Sequence, residues 1–158
     1  MLKIKFLSDP HSDINQWRLD DLLNNCDKNF DIALIAGDIA GDQKDIEHFL
    51  TKYFPNKKVV FVRGNHDLVY SHDNYMLRTS LNTSKKKLTS KFGCDNDLHR
   101  FLDDEYIKLS DDLYVIGSTL YTDYALFGMG EIRKRQMYVG EQFLNDFRFG
   151  FVESEEGG

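Results

Sequence analysis

Cysteine is scarce in this chain. Two residues, Cys26 and Cys94, cannot make a disulfide framework, so a reducing compartment, the cytoplasm, is the expectation. No apolar run approaches the roughly 20 residues that a membrane-spanning helix needs. The opening Met1-Leu2-Lys3-Ile4-Lys5 is too short and too charged for the apolar stretch of a secretory signal. Positive charge is in deficit. Against 26 Asp and Glu there are 20 Lys and Arg, a formal charge of −6. That balance opposes broad binding to nucleic acid or anionic membranes, admits nucleic acid only as a substrate, and suits a site that attracts cations. Internal repeats and interdomain linkers are lacking, which leaves one domain over residues 1–150 and a flexible acidic tail over 151–158. Histidine, five residues in all, stops at His99.

What is present is a regular alternation of strand and helix patterns. Leu2, Ile4 and Phe6 alternate with lysines, as in a strand with one wetter face. Leu19, Leu22, Leu23 and Cys26 fall at i, i+3, i+4 and i+7 and predict a helix, with Asp13 or Asn15 as its cap. The run Ile32-Ala33-Leu34-Ile35-Ala36 is continuously apolar, which suits a central strand buried on both faces. Ile46, Phe49, Leu50 and Tyr53 repeat the helical spacing before Pro55 and Asn56 stop it. Residues 59–62 form another apolar run, ended by Gly64. The order is β-α-β-α-β, the arrangement of parallel strands with helices on the sheet. Residues 72–99, polar and carrying Lys85-Lys86-Lys87, are expected to be loop and short helix over the site. Strands are expected at 105–109 and 113–117, and a helix at 130–147.

Three polar runs punctuate this pattern: Asp9-Pro10-His11, Gly37-Asp38 and Gly64-Asn65-His66-Asp67. Each follows a strand, one helix and one strand after the last. In a parallel sheet that spacing brings all three to the same edge, where such folds bind ligands. Carboxylates, imidazoles and an amide oxygen suit divalent metal ions. Asp9, His11 and Asp38 could hold one ion. With Asp38 bridging, a second could sit beside it with Asn65 as an oxygen ligand, and two such ions activate water and clamp a phosphate. His66 could protonate a leaving oxygen with Asp67 orienting it, and Arg63 could add positive charge for the phosphate. The bland readings are that Asp and Asn after strands form turns, and that Arg63 is a surface charge. Each run alone is a weak signal, and the ordered triple is what points to a metal. Elsewhere, His48 reads as solvated and Lys85–Lys87 as a solvated loop. Trp17 and Cys26 read as packing, and His72 and His99 as possible stand-in ligands.

In this order the three runs resemble the motifs of the calcineurin-like metallophosphoesterase family, and residues 117–123 resemble a strand-and-loop segment of its bacterial and phage-type members. The resemblance implies an α/β sandwich of two sheets, of which this chain carries the N-terminal βαβαβ portion with a mixed sheet. It implies a dinuclear site, often of Mn, Fe, Zn or Ni, held by Asp9, His11, Asp38 and Asn65. It also implies a catalytic His66 and hydrolysis of a phosphomonoester or phosphodiester. Family members carry further ligands downstream, a histidine after a later strand and then Gly-His-x-His, and neither occurs here. The Asp and Arg-Gly of the protein Ser/Thr phosphatase branch are replaced by Ile39-Ala40-Gly41-Asp42. The expectation is therefore a shortened chain with an incomplete site, weak metal binding, an apolar sheet face with little to cover it, and little or no turnover alone. The alternative is a non-catalytic binding or interaction protein that keeps the fold and at most one metal. A receiver-like domain with a phosphorylated Asp is opposed by Asp9-x-His11 and the Asn-His-Asp run.

Overall fold

The apolar runs become neighbouring strands of one parallel sheet. The structure, a computed structural model, describes residues 1–14, 16–72, 75–78, 81–119, 126 and 128–143. Strands β1 (Ile4–Leu7), β2 (Ile32–Ala36) and β3 (Lys58–Val62) lie side by side in sequence order, with Ile4 opposite Ile32 and Ile32 opposite Lys58. Between them run α1 (Gln16–Asn25) and α2 (Gln43–Tyr53). Helix α2 starts where Asp42 accepts hydrogen bonds from the Lys44 and Asp45 amides, a cap worth about 1 kcal/mol. It buries Ile46, Phe49 and Leu50 as the spacing predicts, each contributing about 1.5–3 kcal/mol of apolar transfer.

Helix α1 meets the sheet through Leu19 and Leu23, while Leu22 faces solvent and Cys26 is half-buried. The expectation that Trp17 packs inside is corrected. Its ring is 69% exposed, with the Arg18 guanidinium 4.8 Å from the ring centre. Positions 19 and 23 define the buried stripe, and residue 17 lies too far round the helix to join it.

The middle of the chain is more ordered than its polarity suggested. Strands β4 (Val69–His72) and β5 (Tyr75–Arg78) pair antiparallel, and α3 (Leu81–Phe92) follows. Lys85–Lys87 therefore sit on a helix, not a loop. Its inner face is Ser84, Leu88 and Phe92, spaced i, i+4 and i+8. Phe92 packs edge-on against Phe61 at 5.4 Å between ring centres. Strand β6 (His99–Phe101) then joins the sheet beside β3 as a fourth parallel strand. This placement removes His99 from the candidate ligands. It pairs with Val59 at the start of β3, and its Nε2 lies 3.2 Å from the Phe54 carbonyl oxygen at the opposite end of the sheet from the polar runs. The side chain of His72 lies outside the described residues. His48 is exposed, as expected.

Strands β7 (Glu105–Ser110) and β8 (Leu113–Gly117) form the expected hairpin, a separate antiparallel sheet. Ile107, Leu109 and Val115 pack on Ile32, Val60 and Leu102 of the second sheet face. Cover on this face is partial among the described residues. An apolar cleft of about 470 Å³ opens between Phe6, Leu34, Val62 and Ile116, with Phe6 and Ile116 exposed. Helix α4 (Glu131–Phe143) falls within the predicted span. The expected continuation to 147, the tail, and the last part of the 117–123 segment lie outside the described residues.

Candidate metal centre

The ends of β1 and β2 are laced together by main-chain bonds before any side chain acts. The amides of Asp9, His11 and Ser12 donate to the carbonyls of Gly37, Asp38 and Ile39 at 3.3, 2.9 and 2.8 Å. Two glycines permit the next contact. A Cβ on Gly37 would lie 2.6 Å from the Gly64 nitrogen, and one on Gly64 would lie 2.1 Å from Asp38 Oδ1. No side chain fits between these loops, and Gly37 also has φ +75°.

Asp67 closes the arrangement from below. Its buried carboxylate accepts four amides: Asp38 and Gly64 at Oδ2 (2.9 and 2.7 Å), Ile39 and Ala40 at Oδ1 (2.6 and 3.0 Å). Burial pushes this carboxyl up to about 6, against the pull of the amide donors. Asp67 thus ties the second and third polar runs to each other.

On this scaffold Asp9, His11 and Asp38 converge. Each offers a ligand atom, and these atoms lie within 4.8 Å of one another. All three residues have left-handed backbone, with φ of 53°, 44° and 53°. Such conformations cost of order 1–3 kcal/mol each away from glycine, and they persist where surrounding bonds enforce them, typically at functional sites. His11 Nε2 is 3.9 Å from Asp38 Oδ2. His11 Nδ1 is buried without a hydrogen-bond partner. An imidazole nitrogen grouped with two carboxylate oxygens is a donor set that suits a divalent cation, so the residues fit the metal that the pattern suggested. Asp9 also accepts a hydrogen bond from the Ser8 hydroxyl. Asn65 is exposed on the third run, between Gly64, packed on Asp38, and His66, whose amide donates to Asp38 Oδ1 at 2.8 Å.

The His66 ring stands edge-on to His11, with 4.6 Å between ring centres. The carboxylate that meets it belongs to Asp13, not to Asp67. His66 Nε2 lies 3.0 and 3.1 Å from the two Asp13 oxygens, and Asp13 Oδ2 also accepts the Gly41 amide at 3.0 Å. The Asp13 hydrogen bond raises the His66 pKa despite partial burial. Burial raises the Asp13 carboxyl, but the hydrogen bond and charge of His66 outweigh it and leave it below the ordinary value. Sequence reasoning treated Asp13 as a helix cap. The available signal was its place two residues after His11, on the same strand-end loop.

Arg63 is buried, neither a surface charge nor open to solvent. Its guanidinium lies 3.5 Å from Asp103 Oδ1, and Lys85 reaches Asp103 Oδ2 at 3.0 Å. The Arg63 carbonyl accepts the Thr119 hydroxyl at 2.8 Å. Sequence reasoning read Lys85 only as part of a solvated lysine run and did not single out Asp103, which follows the short strand β6.

Comparison with known proteins adds two findings. A family model described as calcineurin-like phosphoesterase matches residues 2–151. The crystal structure of phosphopantetheinyl hydrolase from Mycobacterium tuberculosis is similar in fold, with a TM-score of 0.59 at 15% identity, over 89% of this chain and 50% of that one. This chain thus spans about half the length of that protein. No curated protein matches the sequence.

Proposed function

The chain belongs to the calcineurin-like phosphoesterase family, and from that premise we propose that it is a metal-dependent phosphoesterase acting on a phosphomonoester or phosphodiester. The observation that carries the reading is the convergence of the Asp9, His11 and Asp38 ligand atoms within 4.8 Å, with the His66 ring beside them. Asp9, His11 and Asp38 would hold a divalent cation, and Asn65 would contribute where a second ion binds. A bound cation supplies Lewis acidity toward a phosphoryl oxygen and lowers the pKa of water. His66 protonates the leaving oxygen from the imidazole edge of the site. Asp67 acts on the loops that carry these groups. Arg63, buried beside Asp103, supports the third loop from within the protein rather than meeting a phosphate. The unpaired cysteines Cys26 and Cys94 are consistent with the cytoplasm. Among the described residues no helix is long and apolar enough to cross a membrane.

The test is hydrolysis of p-nitrophenyl phosphate and bis(p-nitrophenyl) phosphate with added Mn²⁺. The expected result is slow, Mn²⁺-dependent turnover that is lost in His66→Ala. The described centre offers two carboxylates and one imidazole, a ligand set that favours weak loading and low rates. That same shortage supports the second reading, a non-catalytic binding protein. Metal binding with no turnover on either ester would decide for it, and turnover unchanged in His66→Ala would refute the role given to that residue.

A further inference from the structure

Asp13 touches more of the site than any helix cap would. It sits on the β1–α1 loop, its Oδ2 accepts the Gly41 amide of the β2–α2 loop at 3.0 Å, and both its oxygens face His66 Nε2 of the third loop. One carboxylate therefore joins all three strand-end loops. Its contact with the Gly41 amide fixes its own position, since a carboxylate held by a main-chain donor has little freedom to turn away. An acceptor fixed at 3.0 Å from a ring nitrogen dictates which nitrogen carries the proton. A neutral imidazole has one N–H and one lone pair, so a proton held at Nε2 confines the lone pair to Nδ1.

We propose that Asp13 is the positioning residue of this centre: it fixes the plane of the His66 ring and its Nε2–H tautomer through a carboxylate anchored on Gly41. This rests on the phosphoesterase reading only for its catalytic meaning, because the geometry itself needs no metal and no substrate. Asp13 does not touch the reacting atoms. It acts through His66: with Nε2–H held on Asp13, the atom left to face a substrate is Nδ1, which donates a proton when the ring is protonated at both nitrogens. His11, 4.6 Å away ring to ring, packs on the other imidazole and limits its tilt. The β1–α1 loop thus supplies both a candidate metal ligand, His11, and the orienter of the third run's histidine.

The test is long-range ¹H–¹⁵N correlation spectroscopy of the histidine rings in the full chain without added metal, at a pH where His66 is neutral. The wild type is expected to show His66 as the Nε2–H tautomer alone. Asp13→Asn keeps an oxygen that accepts both from Nε2–H and from the Gly41 amide, and should preserve that pattern. Asp13→Ala should give a mixture of tautomers. His48, exposed on α2 and with no hydrogen bond to Asp13, reports on any general perturbation and should keep its tautomer in either variant. A wild-type ring in the Nδ1–H form, or an unchanged His66 pattern in Asp13→Ala, overturns the proposal. The outcome is independent of turnover. Absence of hydrolysis with a locked Nε2–H ring would sink the phosphoesterase reading alone, and hydrolysis with a ring indifferent to Asp13 would sink this inference alone.

Discussion

Removing the Asp67 carboxylate tests whether the centre is assembled by buried hydrogen bonds rather than by strand pairing alone. In Asp67→Ala the amides of Asp38, Ile39, Ala40 and Gly64, now bonded at 2.6–3.0 Å, lose their acceptor. Ile39 and Ala40 have no solvent exposure, so water cannot replace it there. An unsatisfied buried donor costs about 1–3 kcal/mol, giving roughly 2–6 kcal/mol for those two. Asp38 and Gly64 are partly open and add less. Relief of burying a charge offsets some of the sum, and a net loss of about 3 kcal/mol is expected. For a domain of ordinary stability, ~5–15 kcal/mol, that is a large fraction. Urea denaturation followed by far-UV circular dichroism should show a midpoint lower by about 1.5 M, taking a slope of ~2 kcal/mol/M. Asp67→Asn keeps one oxygen but turns an amide group toward two main-chain donors, and should lose about 2 kcal/mol. An Ala variant within ~1 kcal/mol of wild type would refute the claim that these four bonds hold the loops.

Further variants probe separate parts of the molecule. Gly64→Ala places a methyl 2.1 Å from Asp38 Oδ1 and 2.6 Å from its nitrogen; the loops must part, and calorimetry should record at least a tenfold loss of Mn²⁺ affinity, about 1.4 kcal/mol or more. Asp103→Ala strips the buried Arg63 and the neighbouring Lys85 of their shared carboxylate, and thermal denaturation should show a loss of about 3 kcal/mol, with Asp103→Asn losing less. Asp42→Ala removes the α2 cap and should cost about 1 kcal/mol in the same assay, while Asp42→Asn should cost a few tenths.

Much of the fold was legible where apolar spacing and strand length were both strong. The β2 run from Ile32 to Ala36 forms the expected strand, buried except at Leu34 and Ala36, and the α2 stripe buries Ile46, Phe49 and Leu50 with Tyr53 half-buried at its end. Strand β6 was not legible. It has three residues, one of them Arg100, and its β character comes from pairing with β3 rather than from its own pattern. Helix α3 was obscured because its buried stripe begins on Ser84 and its outward face is dense in lysine. At the site, the convergence of Asp9, His11 and Asp38 followed from topology, since parallel neighbours with similar loops end at one edge. The role of Asp13 did not follow. A residue just past the first run looks like a cap until the third loop is folded back on it, and that contact spans 53 positions in sequence. His99 failed as a ligand for the converse reason. Its distance in sequence says nothing of which end of the sheet it reaches.

The central claim is that Asp9, His11 and Asp38 form one cation site. The direct measurement is isothermal titration of Mn²⁺ and Zn²⁺ into the full chain, beside Asp38→Ala and His11→Ala. The account predicts saturable but weak binding by the wild type, lost in Asp38→Ala and at least tenfold weaker in His11→Ala. Binding of the same strength in all three proteins would contradict it.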